Sequence, residues 1–285
     1  MKDKVPVSII IPTLNEEKNI ARALQSILWA DEIFVVDSQS TDRTIEMAEK
    51  LGAQVVQFNF NGIWPKKKNW ALENIPFKHE WVFILDADEE MPETAKDEFF
   101  KICSNPDEKK SGYFINRRFM FMGTWLKHAY YPNWNLRLFK HRLGRYEQLT
   151  NENTHSGDNE VHEHVIVSGS TGQLESEMLH YAFPTTDVFI EKHNRYANWE
   201  AVVKLSPSRK NTTEKLQSPK VRLRRVLKTL AQYLPCKPFL RFFYVYIVQG
   251  GFLDGKEGYY FAKLHGVYQL LIDCKVYEKR KETLR

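Results

Sequence analysis

Short apolar segments alternate with segments of helical pattern through the first third of the chain, and this alternation constrains the fold more than any other feature. Apolar, β-branched segments predict strands at 7–11, 32–38, 53–58 and 80–86. Helices are predicted between them, at 19–28, 41–52 and 66–74. Strands that alternate with helices form βαβ units, and continuous apolar strands indicate a parallel sheet buried on both faces. The sequence therefore predicts an α/β fold with a mostly parallel, Rossmann-like sheet and helices on both faces.

Polar side chains follow three of these strands at the point where each strand ends. The three clusters are Pro12-Thr13-Leu14-Asn15-Glu16-Glu17, Asp37-Ser38-Gln39-Ser40-Thr41-Asp42 and Asp86-Ala87-Asp88-Glu89. Helix capping explains any one of them, because Ser, Thr, Asp and Asn favour the N-cap position. Right-handed crossovers, however, bring the carboxyl ends of parallel strands to one edge, where ligands of open α/β sheets bind. Three clusters together predict one binding site at that edge.

Asp86 and Asp88 flank a single small residue directly after the fourth predicted strand. Like charges this close repel unless a cation or water separates them. A hard divalent cation such as Mg²⁺ or Mn²⁺ takes oxygen ligands and keeps positions open for phosphate oxygens. No GxxxxGK[ST] motif is present, which excludes a P-loop, and no GxGxxG follows the first strand. The residues predict a nucleotide site with a carboxylate on strand two and a metal carboxylate on strand four.

The composition is that of an ordinary globular protein, since 42% of the 285 residues are hydrophobic and 27% are charged. The three cysteines, Cys103, Cys236 and Cys274, are widely spaced and form no CxxC pair. This argues against a disulfide framework or a structural zinc site and favours a reducing compartment. No apolar run matches a signal peptide or the roughly 20 residues of a membrane span, so we expect a cytoplasmic protein.

From about residue 110 the pattern changes. Residues 112–125 and 135–141 predict antiparallel strands, and EVHEHVIVSG (160–169) predicts another strand. Helices are predicted at 185–204 and over most of 217–280. The weakest point along the chain is the polar stretch 206–215, which we take as the boundary of a helical C-terminal region.

Three motifs resemble the N-terminal part of family 2 glycosyltransferases. They are IIIPTLNEEKNIARALQSI, IFVVDSQSTDRTIEMAE and WVFILDADE, in the order and spacing of that family. Further on, WNLRLFK, VHEHV, LHYAF and FIEKHNRYAN resemble the subgroup that builds lipopolysaccharide cores, including heptose-directed β-glucosyltransferases. The resemblance implies a GT-A fold over 1–205, with a nucleotide-sugar-binding half (1–108) and an acceptor-binding half (109–205). Residues 206–285 would then form a helical, basic C-terminal region.

The resemblance also implies roles for individual residues. In that family, the turn after strand one and the carboxylate after strand two hold the uracil and ribose of a UDP-sugar. The matching residues here are Pro12, Thr13, Asn15, Glu16, Asp37 and Ser40. Lys67 in PKKKNWA is expected to reach the nucleotide, with Lys68 as the second choice. Asp86 is expected to bind the ribose side, and Asp88 to ligate Mg²⁺ or Mn²⁺ that bridges the diphosphate.

Enzymes of this kind invert the anomeric carbon by direct displacement, and a carboxylate base takes the proton of the acceptor hydroxyl. Glu163 in VHEHV is the predicted base, and the alternative is an ion pair with a neighbouring arginine. His180 is predicted to help hold the metal or diphosphate, or else to be a hydrogen-bonded structural histidine. Arg137 is predicted to reach a phosphate, or else to belong to a surface strand pair. A two-histidine metal site at His162 and His164 lacks a clear third ligand.

The net charge of +5 conceals a basic region between Arg209 and Arg241 that carries +9, so the rest of the chain sums to −4. A solvated helix face is the default explanation of such a run. Here the run leads into the aromatic segment 239–252, and basic residues beside an apolar surface suit an anionic lipid interface. Because the resemblance implies a lipid-anchored acceptor, we expect peripheral contact with the inner face of the bacterial inner membrane. No nucleic-acid-binding module accompanies the basic run, so nucleic acid is not an expected partner.

The leading interpretation is an inverting, metal-dependent transferase that moves a hexose from a UDP-sugar to a hydroxyl of a glycolipid such as lipopolysaccharide core. Glucose is the expected hexose. A polyprenyl-phosphate glycosyltransferase is the nearest alternative, and its acceptor phosphate hardly needs a base. A catalytically silent nucleotide-sugar-binding protein is the alternative from another class. A sugar-nucleotide pyrophosphorylase is disfavoured because its glycine-rich N-terminal signature is missing.

Overall fold

The structure is a computed structural model that describes residues 4–62, 64–148, 158, 160, 163–205 and 236–283. The described residues up to Thr185 form one compact unit, and those from Thr186 onward form a second. The domain boundary at 205/206, which the polar stretch 206–215 indicates, stays a prediction.

A mixed β-sheet forms the centre of the first unit. The strands of this unit are β1 Val5–Thr13, β2 Ala30–Asp37, β3 Gln54–Gln57, β4 Trp81–Ile84, β5 Glu89–Glu90, β6 Gly112–Phe121, β7 Thr124–Trp125, β8 Trp134–Lys140, β9 Gly144–Tyr146, β10 Val165–Val167 and β11 Thr171–Phe183. Its helices are α1 Ile20–Ser26, α2 Thr44–Lys50, α3 Lys67–Asn74 and α4 Ala95–Cys103.

The strands of this sheet lie in the order β3-β2-β1-β4-β8-β6-β11-β5, and β7 pairs with β6. β1, β2, β3 and β4 run parallel to one another, as do β6 and β11. β8 is antiparallel to both β4 and β6, as the patterns at 112–125 and 135–141 predict. β9 and β10 form a separate antiparallel pair. The mostly parallel N-terminal half is the part that the alternating sequence pattern predicts.

The central strands are apolar on both faces, and a hydrophobic cluster covers each face. Successive side chains of a strand point to opposite faces, so Ile9 and Ile11 of β1 lie in one cluster and Ile10 in the other. The first cluster includes side chains of α1, α2 and α4, and the second includes side chains of α3. Full burial of one such side chain contributes about 1.5–3 kcal/mol. Helices therefore pack on both faces, as predicted.

The strand register brings the three polar clusters to one edge of the sheet. Thr13 at the end of β1 pairs with Asp37 at the end of β2, and Ile10 pairs with Ile84 at the end of β4. Gly52 ends α2 with a positive φ of 84°, a conformation that glycine adopts easily, and the chain then enters β3. The predicted edge for the binding site is thus formed by the carboxyl ends of parallel strands.

The second unit is helical over its described residues. It contains α5 Thr186–Leu205, α6 Lys237–Phe243, a π-helical turn Tyr244–Val248, a 3₁₀ turn Gly251–Asp254 and α7 Gly255–Thr283. Ala197 of α5 packs with Tyr268 and Ile272 of α7. The predicted helix at 185–204 is confirmed. Most of the basic region, at 206–235, lies outside the described residues. None of the described helices has both the length and the apolar character needed to cross a membrane.

Candidate functional site

Asp37 is the structural centre of the edge formed by β1 and β2. Its side chain is fully buried, and its two oxygens accept four hydrogen bonds. The donors are Thr13 Oγ1 at 3.0 Å, Ser40 N at 2.8 Å, Ser40 Oγ at 2.5 Å and Gln57 Nε2 at 3.4 Å. Asp37 therefore joins the loops that follow β1 and β2, and its predicted contact with the nucleoside stays a prediction.

Asn15 and Ser40 hold the same two loops together at the exposed side of this edge. Asn15 N donates to Ser40 Oγ at 2.8 Å, and Thr41 N donates to Asn15 Oδ1 at 2.9 Å. Asn15 adopts a positive φ of 56°, which asparagine tolerates better than most residues. Glu16 N donates to Thr44 Oγ1 at 2.8 Å. The structure thus brings the predicted nucleoside residues of both loops together, with Pro12 paired to Val36 in the strands beneath them.

Three consecutive lysines at the start of α3 each pair with a different carboxylate. The pairs are Lys66 Nζ with Glu163 Oε1 at 2.9 Å, Lys67 Nζ with Asp158 Oδ2 at 2.8 Å, and Lys68 Nζ with Asp86 Oδ1 at 2.8 Å. Adjacent helical residues point about 100° apart, which lets the three ammonium groups reach separate acids. All three lysines are buried. The motif PKKKNWA therefore contributes to the interior of the site and not to a solvated surface.

Lys67 lies directly beneath the edge formed by β1 and β2. Its ammonium donates to the carbonyl of Thr13, and its partner Asp158 also accepts a hydrogen bond from Ser38 Oγ. Burial lowers the pKa of Lys67, and the carboxylate of Asp158 opposes this shift. Lys67 thus lies beside the loops that follow β1 and β2. A direct contact between Lys67 and the nucleotide stays a prediction.

Glu160 is a site residue that the sequence interpretation missed. Its carboxylate accepts the backbone N–H groups of Lys68 at 2.9 Å and Asn69 at 3.0 Å, at the positively polarised start of α3. Burial raises the pKa of Glu160 to about 7, although both N–H groups oppose the shift. The side chain of Asn69 in turn binds the backbone of Tyr146 in β9: Asn69 Nδ2 donates to Tyr146 O, and Tyr146 N donates to Asn69 Oδ1, each at 2.9 Å. No local pattern marks Glu160, because its partners lie about 92 residues away along the chain.

Asp86 belongs to a buried network of charges at the end of β4. Its Oδ2 lies 2.6 Å from Arg137 Nη2, and the same nitrogen lies 3.0 Å from Glu89 Oε1. Asp86 N donates to the other Glu89 oxygen at 2.8 Å. Burial by itself raises the pKa of Asp86, but Arg137 and Lys68 outweigh it and hold that pKa below its ordinary value. Arg137 is only 6% exposed, so it is not part of a surface strand pair. Its predicted phosphate contact stays a prediction.

Asp88 and His180 lie side by side, although 92 positions separate them in the sequence. His180 Nε2 is 3.5 Å from Asp88 Oδ1, and β11 is held there by the N–H of Tyr181, which donates to Asp88 O at 2.9 Å. The other ring nitrogen of His180, Nδ1, is buried and has no hydrogen-bond partner among the described residues. The metal role of His180 and the structural alternative both stay predictions.

Asp88, just before β5, could supply an oxygen ligand to a cation, and His180, on β11, could supply a nitrogen ligand. Within the described residues, no group of three or more histidine, cysteine or acidic side chains is placed to hold a metal ion. Mg²⁺ typically takes one or two protein carboxylates and completes its coordination with water and substrate phosphates. Two protein ligands thus fit a cation whose remaining positions belong to a diphosphate and water.

Glu163, the predicted base, is 7% exposed and lies beside Lys66. The predicted alternative was an ion pair with an arginine, and the observed partner is a lysine. His164 is exposed and lies 3.4 Å from Glu147, whereas His162 lies outside the described residues. The base assignment and the two-histidine alternative both stay predictions.

Residues 8–158 match the sequence model of the family described as glycosyl transferase family 2. The chain belongs to glycosyltransferase family 2. An uncharacterized glycosyltransferase of Rickettsia conorii is 31% identical over 199 residues, which cover 68% of this chain and 69% of that relative. The family predicted from the motifs is therefore confirmed, and the structure confirms the predicted α/β fold class with its mostly parallel N-terminal sheet.

Two further proteins are similar to nearly the whole chain. The lipopolysaccharide core biosynthesis glycosyltransferase LpsC of Rhizobium meliloti is 26% identical over 297 residues, covering 98% of this chain and 94% of LpsC. Among solved structures, the mannosyltransferase PcManGT from Pyrobaculum calidifontis, in complex with GDP-Man and Mn²⁺, is 17% identical. It covers 97% of this chain and 88% of its own, with a TM-score of 0.47.

Proposed function

We propose that this glycosyltransferase is an inverting, metal-dependent hexosyltransferase that uses a UDP-sugar donor, with glucose as the expected hexose. The proposed acceptor is a hydroxyl of a bacterial surface glycolipid such as lipopolysaccharide core. The observation that carries the proposal is the Asp88–His180 pair, which lies at the strand edge of a family 2 chain beside the Asp86 network. Similarity to LpsC over nearly the whole chain supports the class of acceptor.

Asp88 and His180 would hold Mg²⁺ or Mn²⁺ in this enzyme. When bound, the cation supplies positive charge that stabilises the departing nucleoside diphosphate. Lys68 and Arg137 already balance Asp86. Asp88 is therefore the carboxylate of the DxD pair that we assign to the cation, in keeping with the role expected from the sequence.

The donor nucleoside would lie on the edge formed by the loops after β1 and β2. Asn15 and Ser40 lie at the exposed side of that edge, and Asp37 and Lys67 support it from beneath. This arrangement supports a division of roles in which the loop residues contact the nucleoside and the buried charges keep the loops in place.

Glu163 would act as the base of a direct displacement. The acceptor hydroxyl oxygen bonds to the anomeric carbon, the bond from that carbon to the diphosphate breaks, and the electron pair leaves with UDP. The proton of the hydroxyl passes to Glu163. A single displacement of this kind inverts the anomeric carbon.

A donor screen tests the reaction class. Purified protein is incubated with Mn²⁺ and a panel of UDP- and GDP-sugars, and release of the nucleotide is measured with and without EDTA. We expect slow hydrolysis of UDP-glucose that EDTA abolishes. Hydrolysis of a GDP-sugar alone would contradict the donor assignment. A protein that binds UDP but releases none from any donor would support the catalytically silent alternative.

Glu163→Gln tests the base, because glutamine keeps the shape of the side chain but cannot accept the proton. General-base removal typically lowers kcat by a factor of ~10² to 10⁴, and we expect UDP affinity to change little. Retention of more than about a tenth of wild-type kcat would overturn the base assignment. An unchanged rate would favour a phosphate acceptor, as in polyprenyl-phosphate glycosyltransferases.

We also propose that the enzyme binds at the inner face of the bacterial inner membrane. Large apolar side chains of the second unit are exposed from α6 to the 3₁₀ turn before α7: Phe239, Phe243, Ile247, Val248, Phe252 and Leu253. Apolar side chains beside basic ones, such as Arg241, suit an anionic lipid interface.

Sedimentation with vesicles tests this contact. We expect binding to phosphatidylglycerol vesicles, weaker binding to phosphatidylcholine vesicles, and a loss of binding in Phe252→Ser. Tyr277→Ser is the matched control, because Tyr277 is also an exposed aromatic residue but lies near the far end of α7. Equal binding by both variants and the wild type would contradict the proposed interface.

A further inference from the structure

Lys66 and Glu163 form one of the most deeply buried ion pairs among the described residues. Lys66 Nζ lies 2.9 Å from Glu163 Oε1, and the two side chains are only 9% and 3% exposed. Removing two charges from water costs several kcal/mol for each ion, so a buried pair is maintained only where the geometry is good. The ammonium of Lys66 therefore lies where it favours the ionised form of Glu163.

The start of α3 directs Lys66 specifically toward this carboxylate. Lys66 is the N-cap residue, with extended backbone angles of φ −78° and ψ 176°. The two lysines that follow are helical and pair with Asp158 and Asp86. Three neighbouring lysines thus contact three different carboxylates, and of the three only Lys66 contacts Glu163. Substitution of Lys66 consequently changes the surroundings of Glu163 and leaves Lys67 and Lys68 in the chain.

We propose that Lys66 is a positioning residue for the catalytic base: its ammonium holds the Glu163 carboxylate ionised and in a single orientation. This inference rests on the proposed function, since it assumes that Glu163 takes the proton of the acceptor hydroxyl. A buried carboxyl that loses its cation takes up a proton more readily, and a protonated carboxyl is no longer a base. Lys66 thereby extends the pH range over which Glu163 is active.

Other charged groups lie on the elements that carry the pair. They are Lys67 and Lys68 on α3, Asp158 and Glu160 on the segment of Glu163, and the His164–Glu147 pair beside β9 and β10. Lys67 and Lys68 already pair with their own acids. They are therefore poor substitutes for the ammonium of Lys66.

The test compares the pH profiles of kcat for wild type, Lys66→Met and Lys66→Arg between pH 5.5 and 9. For Lys66→Met we expect kcat at pH 7 to fall about tenfold or more, with partial recovery at high pH, because Glu163 ionises only there. The KM for the donor should change by less than about threefold, because donor binding does not use Lys66. Lys66→Arg keeps the charge and should keep the profile.

Two further variants separate a loss of charge from a loss of structure. Lys66→Gln keeps a hydrogen-bond donor without the charge and should show the same shift, so it decides the question if Lys66→Met does not fold. Lys140→Met is the matched control, since Lys140 also forms an ion pair, with Glu80 at 3.3 Å, away from the proposed site. We expect its profile to match that of the wild type.

The Glu163→Gln background distinguishes failure of this inference from failure of the proposed function. If Lys66 acts through Glu163, Lys66→Met causes no further loss of kcat in that background. A uniform loss of kcat at every pH and in both backgrounds would overturn the positioning role. High activity of Glu163→Gln would refute the assignment of Glu163 as the base. If Glu163→Gln is inactive and the pH profile of Lys66→Met is not shifted, only the positioning role of Lys66 is refuted.

Discussion

Glu160 should make the first unit less stable as the pH rises through neutrality. Its carboxyl is 2% exposed and is held against the first turn of α3. Burial raises its pKa from an ordinary value of 4.5 to about 7. The folded state therefore binds a proton at Glu160 more tightly than the unfolded state does. The stability that this proton contributes is fully present below pH 4.5 and is lost as the pH rises through 7.

The size of the effect follows from the two pKa values. A span from 4.5 to about 7, at about 1.36 kcal/mol for each pKa unit, sets an upper limit of about 3 kcal/mol. Between pH 5.5 and pH 8.5 the expected loss in the free energy of unfolding is about 2 kcal/mol. Glu160→Gln removes the titrating group, so this part of the pH dependence should disappear.

Urea unfolding of the wild type and Glu160→Gln at both pH values measures this difference, and hydrogen exchange of the α3 amides locates it. Glu93→Gln serves as the control, because Glu93 is an exposed acid. The expected result is that the stability difference between wild type and Glu160→Gln changes by about 2 kcal/mol between the two pH values. A difference that is the same at pH 5.5 and pH 8.5 would show that burial does not control the ionisation of Glu160.

Three other substitutions test separate parts of the site. Asp88→Asn should abolish transfer and the response to Mn²⁺ without lowering the melting temperature, and near-normal turnover would remove the metal assignment. Asp37→Ala should weaken UDP binding, as measured by calorimetry. It should also lower the free energy of unfolding by about 1–3 kcal/mol, because buried hydrogen-bond donors lose their acceptor. Unchanged UDP affinity would show that the nucleoside binds elsewhere. Arg137→Met should destabilise the first unit by about 3–5 kcal/mol, because Asp86 and Glu89 lose their shared cation. A change below about 1 kcal/mol in urea unfolding would contradict that reasoning.

The N-terminal half of the fold and the outline of the site could be predicted from the sequence. Strands such as β1 and β4 are continuous apolar segments, and their order along the chain implies a parallel sheet. Handedness then places the clusters around Asn15, Ser40 and Asp88 at one edge, as observed. These features depend on local composition and on general rules of chain connection. The order and spacing of the three motifs also predicted membership of glycosyltransferase family 2.

Tertiary structure alone determined which charges meet. By composition, PKKK is a typical exposed segment, because lysines are seldom buried unless they are paired. Here the carboxylates of Glu163, Asp158 and Asp86 each form an ion pair with one of the three lysines. Lys66 and its partner are 97 residues apart, and no local pattern connects positions at that distance.

The same reason explains the positions of Glu160 and Arg137. Glu160 caps a helix that lies far from it in sequence, and Arg137 lies buried between two acids although its strand pattern also suits a surface. The membership of α5 in the second unit likewise depends on its packing against α7. Periodicity identifies the elements and the face each one buries. Only the packed chain decides which partner covers that face, because burial and ion pairing depend on contacts between distant residues.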